Sequence, residues 1–238
     1  MTPRALHIMN ESTGPARVFV EALEQRGFDI VTVSPLAGEL PETPDGFAAI
    51  LSGGGTADTH QTEEHPWLVH EVALLREAID RGVPTMGLCL GAQLLTEAAG
   101  GTVYRCEPPE VGWFEVTAAP EAAADPVMGS LPPAFMAMQW HLYACELPRS
   151  AVELARNPTC VQALRIGEVA WGTQFHIETT RDILVSWADL APGELERYGY
   201  DRARYDAELD RFGAAHEAIG RDMAGRFADV AVRQLEPV

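Results

Sequence analysis

Short apolar runs alternate with amphipathic stretches through the first hundred residues, and glycine closes most of the stretches. Ala5 to Met9 reads as a strand, and Ala16 to Arg26 as a helix stopped at Gly27. Phe28 to Val33 is the next strand. Phe47-Ala48-Ala49-Ile50-Leu51 runs into Ser52-Gly53-Gly54-Gly55, a strand that opens into a glycine loop. Trp67 to Arg81 carries Leu68, Val72, Leu75 and Ile79 at helical spacing and stops at Gly82. Pro84 to Leu88 is a short buried strand, and Leu90 to Ala99 is a helix closed by Gly100-Gly101. This β–α alternation commits the chain to an α/β fold with a mostly parallel sheet. Ligands in such sheets bind at the carboxyl ends of the strands.

The second half changes character. Trp113 to Ala118, Phe135 to Trp140, Val152 to Ala155, Val161 to Ile166 and Val169 to Phe175 read as strands with little helix between them. Arg165-Ile166-Gly167-Glu168-Val169 reads as a hairpin turn. These strands are expected to add antiparallel edges to the parallel core. From Thr179 the pattern is helical. Tyr205, Leu209, Phe212, Ile219, Met223, Phe227 and Val230 form the stripe of an amphipathic helix. The stripe is expected to pack on the chain's own core, with a homodimer contact as the alternative. One domain over 1–238 is expected, with a helical C-terminal extension from about 190.

Composition removes several classes. At 47% apolar residues the chain is too hydrophobic to be disordered. Its formal net charge of −18 argues against nucleic-acid partners, which need clustered Lys and Arg, and against anionic membranes. No apolar run reaches the roughly 18 residues of a membrane span, and the start Met1-Thr2-Pro3-Arg4 is not that of a signal peptide. The four cysteines, Cys89, Cys106, Cys145 and Cys160, contain no CxxC. A cytoplasmic protein with reduced thiols and no bound metal or other cofactor is expected. His60, His65 and His70 repeat every five residues, a spacing that does not stack on one helix face, so they read as a solvated loop.

The chemistry concentrates in Gly87-Leu88-Cys89-Leu90-Gly91. A strand runs straight into a helix, with a nucleophile at the junction and glycines two residues to either side. Such a turn is too tight for a Cβ at the flanking positions, and the nucleophile itself is strained. A helix N-terminus favours thiolate, and the Leu90 N–H points to where an oxyanion would form. A thiolate needs a base, and the base needs an orienting group. Trp171-Gly172-Thr173-Gln174-Phe175-His176-Ile177-Glu178 ends an expected strand. On extended chain His176 and Glu178, two apart, project together from the end where Cys89 lies. His176 is then the general acid and base, and Glu178 its orienting carboxylate.

With Ser52-Gly53-Gly54-Gly55, Gly87 to Gln93, Glu110-Val111-Gly112-Trp113, Gln139-Trp140-His141 and Gly172 to Glu178 in this order, the chain resembles the class I glutamine amidotransferase family. The resemblance runs from about Ala5 to Trp187. It is strongest to the freestanding branch similar to the amidotransferase domain of guanosine monophosphate synthetase. It implies a flavodoxin-like three-layer sandwich. It also implies that Cys89 attacks the side-chain amide of glutamine, forms a γ-glutamyl thioester and releases ammonia to a separate synthase. Gly54 or Gly55 and Leu90 would donate to the oxyanion, Gln93 would contact glutamine, and His141 would line the pocket. Gly55 and Ile177 stand where proline is common in relatives. Two other functions fit the same residues. One is a hydrolase of γ-glutamyl amines or peptides, which the acidic composition permits. The other is a non-catalytic regulatory relative, against which the intact Cys89, His176 and Glu178 weigh. No phosphate loop or adenylation signature appears, so activation of an acceptor by ATP is expected to need a partner.

Overall fold

The structure, a computed structural model, describes residues 2–235; Met1 and residues 236–238 of the expected 1–238 domain lie outside the described residues. Nine strands form one sheet: β1 Arg4–Ile8, β2 Asp29–Val33, β3 Ala49–Ser52, β4 Thr85–Leu88, β5 Thr102–Ala118, β6 Ala134–Glu146, β7 Ala151–Arg156, β8 Val161–Ile166 and β9 Ala170–Thr173. Six α-helices accompany it: α1 Arg17–Gln25, α2 Trp67–Asp80, α3 Leu90–Ala98, α4 Arg181–Leu190, α5 Pro192–Arg197 and α6 Arg202–Arg233. The sheet order is β2-β1-β3-β4-β9-β8-β7-β5-β6.

The sheet is mixed. The ladders joining β2, β1, β3, β4 and β9 are parallel, and those joining β9, β8, β7, β5 and β6 are antiparallel. The expectation of a mostly parallel sheet is therefore corrected to an even division. The reason lies in β5 and β6. β5 begins at Thr102, well before Trp113, and β6 runs on past Trp140 to Glu146. Pro108 and Pro109 interrupt the apolar pattern of β5, and the pairing slips between Arg105 and Glu110. Proline cannot donate to a ladder, so it hides such a strand from pattern reading.

The central strands are buried on both faces. In β1, Ala5 joins a core with Phe19, Leu23, Trp171 and Phe227, on the side of α1 and α6. Leu6 and Ile8 face the other way, into a core with Leu68, Leu75, Leu94 and Leu95 from α2 and α3. A third cluster joins Trp113 and Met138 to Leu184, Leu195, Tyr205 and Leu209. The α6 stripe thus spans two cores, Tyr205 and Leu209 in one and Met223, Phe227 and Val230 in the other. Among the described residues no helix is long and apolar enough to cross a membrane.

Phe227 meets Phe19 and Trp171 edge-on, with centroids 6.1 and 6.2 Å away, and is fully buried. Phe227→Ala is expected to cost about 3–5 kcal/mol. Urea denaturation followed by circular dichroism checks this; a loss below about 1 kcal/mol would mean that α6 is docked only loosely.

Candidate active site

β4 ends at Leu88 and α3 begins at Leu90, so Cys89 alone makes the junction. Its φ is 52° and its ψ −106°, the one positive φ outside glycine among the described residues. Such a backbone costs about 1–3 kcal/mol and persists only where surroundings impose it. Here they do. The Cys89 N–H donates to the Thr173 carbonyl of β9 at 2.8 Å, and the Gly91 N–H donates to Gly53 at 3.1 Å. A Cβ on Gly87 would lie 2.6 Å from the Gly91 carbonyl, and one on Gly91 only 2.1 Å from the Ser52 carbonyl. The two flanking glycines therefore serve different contacts, one within the turn and one between α3 and β3.

The glycine loop after β3 covers this junction. A Cβ on Gly54 would sit 3.4 Å from His176 Cε1 and 3.6 Å from the Cys89 Cβ, so Gly54 bridges the two side chains. Gly55 lies against Leu90. Beneath the loop, Asn10 donates to the Gly53 carbonyl at 3.0 Å and to Glu71 at 3.2 Å, while Ser52 Oγ donates to Glu71 at 2.6 Å. Glu71 is fully buried, and burial pushes its pKa up to about 7 against the pull of those two hydrogen bonds.

His176 and Glu178 meet, but not through extended chain. β9 ends at Thr173, and in the irregular segment that follows His176 sits between a bend at 174–175 and a turn at 177–178 that holds Glu178. The turn brings His176 Nδ1 to 2.8 Å from Glu178 Oε1, with both side chains nearly sealed from solvent. Burial alone would lower the pKa of His176. The facing Cys89 sulfur and the Glu178 carboxylate reverse this and raise it well above the usual imidazole range. That arrangement favours the charged form of the His176 ring. Gln174 Nε2 lies 3.7 Å from the sulfur.

A cavity of about 450 Å³ opens over Cys89, His176, Gly54, Gly55, Leu90 and Gln93. Four aromatic residues, Trp140, Tyr143, Trp187 and Tyr198, also line it. The Trp187 ring stands perpendicular to the His176 ring, with centroids 4.8 Å apart. Glu11, Asp58, Glu178 and Glu194 also line the cavity; Glu194 pairs with Arg197 at 3.5 Å, and the Arg105 and Arg197 guanidiniums lie over the Tyr143 and Tyr198 rings.

The family model for class I glutamine amidotransferases matches residues 16–182. The chain belongs to the class I glutamine amidotransferase family. Over 74% of this chain and 76% of its relative, it is 29% identical to the glutamine amidotransferase-like protein YfeJ of Salmonella typhimurium. It is 31% identical to the glutamine-hydrolysing GMP synthase subunit from Pyrococcus abyssi, over 70% of this chain and 85% of that one. It is also 31% identical to the γ-glutamyl-L-1-hydroxyisopropylamide hydrolase of a Pseudomonas species, over 59% of this chain and 50% of that one. The fold matches that of a glutamine amidotransferase from Thermotoga maritima at a TM-score of 0.86 and 24% identity, covering 96% of this chain and 99% of that one.

Within this family site, Cys89, His176, Glu178, Gly54, Gly55, Leu90, Gln93 and His141 all border the one cavity. Gln93 donates to the Tyr143 carbonyl at 3.0 Å and to Gln174 at 3.3 Å, tying α3 to β6. His141 lies inside β6, not after it as expected, because β6 continues to Glu146. Its Nδ1 is 2.9 Å from the Tyr143 carbonyl and its Nε2 is 3.0 Å from Glu110. Both partners are acceptors, and they fix the ring between β5 and the end of β6.

Glu110, His141 and Cys160 are the one cluster of metal-ligating types among the described residues, with ligand atoms within 4.8 Å. Asn157 and Gln162 also donate to Glu110, at 2.6 and 2.8 Å. Burial, then the charge of Glu110, holds the Cys160 thiol far above its ordinary pKa. A protonated thiol and a carboxylate already taken by three donors fit a hydrogen-bond network better than a metal cage. His60, His65 and His70 do not belong to the cluster.

Asn10, Glu71, Trp187 and His216 escaped sequence reading. Only Glu71 left a signal, an acid set among Leu68, Leu74 and Leu75 on the buried face of α2. A folded pKa raised from 4.5 to about 7 binds its proton more tightly in the native state. Stability is then full below about pH 4.5 and falls as pH rises through 7, by roughly 3 kcal/mol in all. Glu71→Gln should flatten that fall. Urea midpoints at pH 5 and pH 8 test this, and an unchanged pH slope in the variant would remove Glu71 as its source.

Proposed function

We propose that this amidotransferase-family chain hydrolyses the side-chain amide of glutamine through a covalent thioester. One observation carries the reading: a strained thiol at a strand–helix junction faces an imidazole held by a buried carboxylate 2.8 Å away. The Cys89 thiolate attacks the γ-carbonyl carbon, and the carbonyl π pair moves to oxygen. The Leu90 N–H, which heads α3 and has no partner within the helix, meets that oxyanion together with Gly54 or Gly55. His176 gives its proton to the leaving nitrogen, and ammonia departs as the C–N bond breaks. Water then attacks the thioester. His176 takes its proton, the C–S bond breaks, and glutamate leaves with the thiolate restored. Glu178 keeps the imidazole oriented and stabilises its charged form. In this reading the ammonia serves a separate synthase, as the name of the Pyrococcus relative suggests.

Wild-type protein is expected to release glutamate and ammonia from glutamine in equal amounts. It should also be alkylated at Cys89 by a glutamine-analogue chloroketone. Cys89→Ala should lose at least about 10³-fold in kcat. Hydrolysis at the wild-type rate in that variant would sink the mechanism.

A second reading rests on the cavity wall. A space of about 450 Å³ is in the range that encloses drug-sized ligands, more than a carboxamide needs. Aromatic faces with nearby carboxylates suit an organic ammonium, and two of the rings already carry a cation, Arg105 over Tyr143 and Arg197 over Tyr198. The leaving group would then be an amine in place of ammonia, in keeping with the name of the Pseudomonas relative. The comparison is kcat/KM for glutamine against that for γ-glutamyl-putrescine. The second reading expects the conjugate to win by at least about tenfold, with Glu194→Gln narrowing the gap; preference for glutamine would retire it.

A further inference from the structure

The segment around His176 is held by the sheet on one side and by α6 on the other. The His176 N–H donates to the Met138 carbonyl of β6 at 2.9 Å, and its carbonyl accepts from Thr179 Oγ1 at 2.8 Å. A second donor reaches the same carbonyl from α6: His216 Nε2, at 2.9 Å. A carbonyl only accepts, so His216 carries a proton on Nε2. The His216 ring is fully enclosed, packed edge-on against Trp113 at 5.2 Å, and its Nδ1 has no hydrogen-bond partner. Burial lowers its pKa to about 4, against the pull of the His176 and Met136 carbonyls, so the ring is neutral near pH 7 and has one proton to donate; the 2.9 Å contact to the 176 carbonyl is met with that proton on Nε2.

One helical turn further along α6, Gly220 meets the next residue of the same segment. A Cβ there would lie 2.1 Å from the Ile177 carbonyl oxygen and 3.2 Å from its carbon, so only glycine lets α6 approach this closely. Ile177 does not fix its own φ as a ring would. Two successive carbonyls of the segment, at 176 and 177, are thus met by one face of a single helix. That helix lies beyond residue 182, where the family match ends.

We propose that His216, with Gly220, is a positioning residue for His176: the C-terminal helix positions the segment that aims the imidazole at Cys89. This rests on the reading of His176 as the acid–base group. His216 touches no reacting atom in that scheme. Its effect passes through the 176 carbonyl to the ring, and displacements of about 1 Å in such a group cost on the order of 10²-fold in rate.

The test uses the full chain and the better of the two substrates above. His216→Leu removes the donor and His216→Gln keeps an N–H at a comparable reach. The Leu variant should lose about 10- to 100-fold in kcat with KM within about threefold. The Gln variant should recover kcat to within about threefold of wild type. ¹⁵N-histidine NMR supplies a readout independent of turnover: the His176 ring signals should shift in the Leu variant and return in the Gln variant. Gly220→Ala, which pushes the segment without touching His216, should shift them too, and it decides the matter if His216→Leu does not fold. Folded Leu and Ala variants with wild-type ring signals and kcat would overturn the proposal, as would a Gln variant as impaired as Leu. Wild-type activity in His176→Ala would instead overturn the acid–base reading, whatever the ring signals show.

Discussion

Everything at the site depends on how β4 passes into α3 in a single residue. Cys89 holds a backbone conformation that a side chain resists, and three neighbours keep it there. β9 takes its N–H, the β3 carbonyl of Ser52 fills the space that a Cβ on Gly91 would need, and Gly53 accepts from Gly91. The strain of about 1–3 kcal/mol is small beside the burial of Met86, Leu88, Leu90 and Leu94 on either side. Relaxing the junction would separate those residues from the two cores. The thiol is therefore presented at the sheet's carboxyl edge by the same packing that makes the fold.

Buried polar groups tighten the surroundings of this junction. Glu71, Ser52 and Asn10 hold the glycine loop from below. Glu110, His141, Asn157 and Gln162 form a second network where β5 and β6 pair. Each carboxylate is costly inside the protein unless it is hydrogen-bonded, and both are. The net charge of −18 has little part in this. Its local expression is narrower: four acids line the cavity, beside four aromatic side chains.

The β–α order, the Cys89 elbow and the pair His176–Glu178 were legible because each depends on local pattern: apolar period, glycine spacing, or residues two apart. The pair meets for a reason other than the one read from sequence, through the irregular segment after β9 and not through strand alternation. The long β5–β6 hairpin was only half legible, since Pro108 and Pro109 break its pattern while long-range pairing with β6 sustains it. His216 could not be seen at all, because a histidine on a helix carries no mark of the carbonyl it meets forty residues away.

The sequence by itself determined the family, the alternation of strands and helices, and which thiol stands at the strand–helix junction. The last two follow from short-range sterics: a tight turn admits only glycine at its flanks, and an apolar period admits only one kind of element; the family follows from the resemblance of its motifs. Tertiary structure alone decided that half the ladders are antiparallel, that the cavity wall is aromatic and acidic, and that α6 reaches the His176 segment. Each of these joins segments far apart in the chain. The free energy that selects them comes from burial and hydrogen bonds formed only when the whole core assembles.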